Sequence, residues 1–93
     1  MRIHATPEAR SMILDEGGLL FVWTEMTGRI GRVLRTSTKP PKDALDWIRY
    51  ETKGVLVFLP PWMKRRPNAL DIEVNGWWRR KVHVYWNGSA IIV

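Results

Sequence analysis

The chain has 93 residues, enough for one domain with a real but small core. Apolar residues make up 45%, too many for a disordered chain, and six tryptophans must each be core or contact surface. No cysteine is present, which excludes disulfides, thiol catalysis and thiolate-bound zinc or iron–sulfur clusters on this chain alone.

The net charge of +6 is uneven. Residues 1–28 carry a net −2 and residues 29–93 a net +8. A basic surface attracts nucleic acid, lipid headgroups or an acidic protein face, or is simply solvated. Met1-Arg2-Ile3-His4 is not followed by an apolar run, so no signal peptide is expected, and no stretch has the length of a membrane span. A small domain that manages without disulfides favours a cytoplasmic home.

In chain order, Arg2–Ala5 reads as a short opening strand. Thr6-Pro7-Glu8 is a helix start: a capping hydroxyl, a proline suited to the first turn, and an acid at the positive end of the dipole. Ala9, Met12 and Ile13 form one apolar stripe, and Gly17-Gly18 ends the helix. Leu19–Thr24 reads as a buried strand. Over Met26–Thr38, Gly28 and Gly31 interrupt the pattern, while Ile30, Val33 and Leu34 indicate at least part of a strand; Lys39–Lys42 is a loop.

Asp43–Tyr50 fits a helix through Ala44, Trp47 and Ile48. The preferred reading is a strand over Trp47–Thr52 that turns at Lys53-Gly54 into Val55–Leu59. The latter is apolar on both faces and needs neighbours on each. Pro60-Pro61 stops it, and a short second helix is expected over Trp62–Arg66. Asn75-Gly76 predicts a hairpin joining Leu70–Val74 to Trp77–Trp86. Asn87-Gly88 predicts a second one joining Trp86 to Ser89–Val93.

The strand Trp77–Trp86 carries the main candidate surface. Alternation places Trp78, Arg80, Val82, Val84 and Trp86 on one face, core-like toward its C-terminal end. The other face holds Trp77, Arg79, Lys81, His83 and Tyr85. Cations mixed with aromatics suit a single-strand nucleic-acid platform; a solvated face that guards the sheet is the commoner outcome. Trp62, Lys64, Arg65 and Arg66 form a second candidate contact cluster, and Arg29, Arg32 and Arg35 a third row. Asp71 and Glu73 share a strand face and are expected to pair with Arg79 or Lys81 across the hairpin.

Nothing completes a catalytic or metal-binding set. His4 and His83 lie on separate strands without ligand spacing, and Ser11, Ser37 and Ser89 lack a nucleophile-elbow motif. No enzyme activity, metal or cofactor is expected.

The opening Ile3-His4-Ala5-Thr6-Pro7-Glu8-Ala9, the Gly17-Gly18 end and the strand Leu19–Trp23 resemble the start of HesB-like proteins, the A-type iron–sulfur assembly family. Lys53–Pro60 and Leu70–Val74 resemble later segments, in the same order and spacing. The resemblance spans most of the chain and implies one α+β, mostly β domain over 1–93: twisted sheets or a sandwich with an N-terminal helix. It departs where the family places its ligands. The family's cysteine after the second strand falls near Glu25–Gly31 here, and its C-terminal Cys-Gly-Cys is replaced by Trp86-Asn87-Gly88-Ser89-Ala90-Ile91-Ile92-Val93. No iron–sulfur ligand carries over. The expected role is a non-enzymatic HesB-like domain that binds a protein partner or self-associates. The alternative is a basic nucleic-acid-binding module.

Overall fold

The computed structural model describes residues 2–29, 31–42, 44–63, 68–75, 81–86 and 91–92. The chain runs β1 (Arg2–Ala5), α1 (Pro7–Asp15), β2 (Leu19–Thr27), β3 (Gly31–Ser37), a 3-10 turn (Ala44–Asp46), β4 (Ile48–Thr52), β5 (Val55–Leu59), β6 (Ala69–Asn75), β7 (Lys81–Trp86) and β8 (Ile91–Ile92). Two sheets result. One has the strand order β1-β6-β7, the other β4-β5-β2-β3-β8. The fold is therefore α+β and mostly β, as expected.

The helix begins and ends as its sequence dictates. The Thr6 hydroxyl accepts the Ala9 N–H at 3.2 Å, and Pro7 occupies the first turn. At the other end the Gly18 N–H reaches the Ile13 carbonyl at 2.8 Å and the Gly17 N–H reaches Leu14 at 3.1 Å. These two bonds make a Schellman motif, which needs a positive φ at Gly17, +120°; Gly18 follows at +84°. The Gly18 carbonyl then accepts the Leu56 N–H, so the helix end is tied directly to β5.

The core lies between the sheets. Leu20, Val22, Val55, Val57 and Leu59 from one sheet meet Leu70, Ile72, Val84 and Trp86 from the other, with Ala9 and Ile13 of α1 closing the cluster. The helix touches both sheets. β5 is central in importance because both of its faces are covered. Val55, Val57 and Leu59 face the core, while Leu56 and Phe58 are half-buried on the outer side. Its parallel pairing with β2 sets Phe58 beside Phe21.

Two strand readings hold and three expectations change. Gly31–Ser37 is a full strand, antiparallel to β2 from Phe21↔Ser37 to Thr27↔Gly31. The strand reading of Trp47–Thr52 holds, as Ile48–Thr52, with one 3-10 turn before it. The short helical element is that turn; Pro61-Trp62 instead form a turn closed by the Met63 N–H on Pro60, and 64–66 lie outside the described residues.

The Asn75-Gly76 hairpin has a different register. Asn75 pairs with Lys81, Val74 with Val82, Ile72 with Val84 and Leu70 with Trp86. A two-residue turn would have set Val74, Ile72 and Leu70 against Trp77, Arg79 and Lys81. Two cations would then face the core, so the apolar pattern overrides the local turn signal. Finally, β8 pairs with β3 rather than β7, Val33↔Ile91 and Arg32↔Ile92. The C-terminal segment thus changes sheets and covers the edge that β3 would otherwise leave open.

Candidate binding surfaces

Outward alternation on β7 presents Lys81, His83 and Tyr85, with Val84 and Trp86 buried opposite. The register decides what surrounds them. Glu73 lies beside His83, Asp71 beside Tyr85, and His4 of β1 beside Asp71. Tyr85 and His83 stand opposite these carboxylates where Lys81 was expected, and the expected partner Arg79 lies outside the described residues. A depression of about 500 Å³ runs over His4, Thr6, Asp71, Glu73 and Tyr85. Acids and bases alternate across this face, unlike the continuous positive strip that tracks a nucleic-acid backbone. Trp77, Arg79, Lys64, Arg65 and Arg66 lie outside the described residues. Trp62 is 55% exposed on the turn after β5.

The arginine row does not form. Arg32 and Arg35 are an odd number of residues apart on one strand, so they leave it on opposite faces. Arg32 reaches the core-facing Thr24 hydroxyl at 3.5 Å, while Arg35 donates its Nε to Glu25 at 3.1 Å on the outer face. Arg29 sits in the turn between β2 and β3.

That outer face of the five-stranded sheet carries a feature the sequence pattern alone did not reveal. Phe21 stacks on Phe58, with centroids 4.8 Å apart and planes 14° apart. Trp47 meets Phe21 and Trp23 edge-on, each at 6.0 Å. Phe21 is only 4% exposed although it points away from the core, because the other rings cover it. The Trp23 indole N–H donates to Glu25 at 3.1 Å. Together with Arg35 it holds the Glu25 carboxyl below the usual glutamate range; the Trp23 bond is the largest cause, and partial desolvation opposes it. The available signal was Phe21 and Trp23 at i, i+2, and an apolar outer face on β5.

Close to Trp47 in the chain, apolar side chains are left uncovered. Leu45 in the 3-10 turn is fully exposed and Ile48 at the start of β4 is 40% exposed. β4 is also an outermost strand of its sheet. Among the described residues no group of three or more His, Asp or Glu side chains converges to hold a metal ion, and no helix is long and apolar enough to cross a membrane.

This architecture is that of the iron–sulfur assembly proteins. The chain superposes on SufA of Escherichia coli, a protein involved in biosynthesis of iron–sulfur clusters, with a TM-score of 0.63, 16% identity, and coverage of 95% of this chain and 82% of that one. IscA bearing a 2Fe–2S cluster matches with a TM-score of 0.63 and 8% identity, over 89% of this chain and 83% of that one. No curated protein sequence matches it. Residues 1–86 match the CC/Se motif containing family, and the chain belongs to that family. The HesB-like resemblance thus holds for the fold. The chain has no cysteine, so no cysteine pair is available to it.

Proposed function

We propose that this chain is a non-enzymatic, cytoplasmic binding domain built on the iron–sulfur assembly fold, which engages a protein partner or a second copy of itself. The cluster-bearing role of IscA does not transfer, because thiolates are the ligands that hold such clusters and this chain has none. The observation that carries the reading is the pairing of an open strand edge, β4, with uncovered apolar side chains, Leu45 and Ile48, at its start. An exposed edge is a template for another chain, and exposed apolar groups beside it supply the burial that association needs.

The test has two arms. Light scattering from micromolar to millimolar protein reads self-association, and capture from an extract of the source cells, compared between wild type and Leu45→Asp, reads partner binding. The expected result is a rise in mass with concentration or a captured protein that the variant loses. A monomer at all concentrations whose captured proteins are unchanged by Leu45→Asp contradicts the reading.

A further inference from the structure

We propose that the second copy is the occupant of the β4 edge, joined antiparallel about a two-fold axis through Tyr50; this rests on the binding reading above and names its partner and seam. The hairpin after β4 fixes which backbone groups are free. Lys53 and Gly54 both have positive φ, +45° and +87°, the signature of a two-residue primed turn closed by Thr52↔Val55. The closing pair is hydrogen-bonded, and antiparallel pairs alternate. Thr52, Tyr50 and Ile48 therefore spend their N–H and C=O groups on β5. Those of Arg49 and Glu51 point outward from the sheet edge.

Side chains alternate as well. Arg49 and Glu51 are both exposed on the outer face, on either side of Tyr50, and among the described residues neither forms an ion pair. A copy laid antiparallel and centred on Tyr50 sets Arg49 against Glu51 of the second chain, and Glu51 against its Arg49. Both are hydrogen-bonded positions, so the same two residues exchange backbone bonds and opposite charges at both ends of the seam. Tyr50 meets Tyr50 at the intervening non-hydrogen-bonded position, where side chains approach closest. Ile48 falls opposite Thr52.

The sequence Ile48-Arg49-Tyr50-Glu51-Thr52 is thus self-complementary in the sense that a two-fold interface requires. The seam is electrically neutral, which matters for a chain of net charge +6 whose copies otherwise repel. The other edges suit a partner strand less well: β8 has two residues, β1 has four, and β7 lies against β3 more extensively than β4 does against β1.

Sedimentation equilibrium on the full chain tests this with charge reversal. The wild type is expected at twice its 10.9 kDa chain mass at high concentration. Arg49→Glu alone and Glu51→Arg alone each create two like-charge contacts and should weaken the dimer at least about tenfold. Mixed together, the two variants present complementary charges at both positions and should form a heterodimer of wild-type strength, as should the double variant R49E/E51R with itself. Circular dichroism checks that these exposed substitutions leave the fold intact. Variants that dimerise as the wild type does overturn the β4 seam while leaving self-association standing. A wild type that stays monomeric overturns the seam as well, and leaves a different protein as the only partner.

Discussion

Replacing Trp47 with alanine tests whether the outer aromatic cluster holds the fold or only decorates it. Trp47 is half-buried and meets Phe21 and Trp23 at 6.0 Å each, so the substitution removes two edge contacts. Such pairs contribute about 0.5–1.5 kcal/mol apiece. A half-buried indole also hides on the order of 100 Å² of apolar surface, about 2.5 kcal/mol at 25 cal/mol/Å², an upper value because denatured chains keep some burial. The expected loss is about 3 kcal/mol, a large part of the stability of a small domain. With a urea m-value of about 1–1.5 kcal/mol/M, the unfolding midpoint should fall by about 2–3 M. Trp62→Ala is the control: Trp62 is 55% exposed, and its loss should cost below about 1 kcal/mol. If Trp47→Ala is no more destabilising than Trp62→Ala, the cluster does not brace the sheet and the account of Phe21's burial is wrong.

Three further outcomes follow from the local geometry. Thr6→Ala removes the hydroxyl that accepts the Ala9 N–H and should lower stability by about 1 kcal/mol in denaturant melts. Gly18→Ala forces a left-handed φ of +84° on an L side chain and should cost about 1–2 kcal/mol, whereas alanine at the open, normal-φ Gly28 should cost little. Glu25, with its folded pKa depressed, contributes stability that is present above the unfolded pKa and is lost as pH falls through the folded one. Carboxyl NMR titration should therefore show Glu25 titrating below the usual glutamate range, and Trp23→Phe should move it upward, because the indole bond is the largest single cause. A Glu25 titration unmoved by Trp23→Phe contradicts that assignment.

The elements whose signals are local were legible. Thr6-Pro7-Glu8 and Gly17-Gly18 bound the helix because capping chemistry acts within a turn. The doubly apolar Val55–Leu59 required cover on both faces, and it has it. What depends on distant pairing was not legible. The aromatic cluster exists because β2 and β5 run parallel with Phe21 beside Phe58, across 36 intervening residues. Asn75-Gly76 is a strong turn signal, but the core selects the register that keeps Leu70, Ile72 and Val74 opposite Trp86, Val84 and Val82. The even spacing that put Lys81, His83 and Tyr85 on one face was read correctly from alternation. Their acidic neighbours Asp71 and Glu73 came from that register and changed the character of the face. The arginine spacing of three suggested a row by eye, whereas a strand of period two separates its members.

Amide hydrogen exchange tests the central claim, that this fold serves here as a binding domain, most directly. Exchange would be compared residue by residue in dilute protein, in concentrated protein and in the presence of cell extract. The account predicts that one contiguous patch gains protection on concentration or in extract, and that it includes the outward amides of Arg49 and Glu51 on β4. Exchange that is identical under all three conditions throughout Ala44–Thr52 and over the rest of the surface would contradict it.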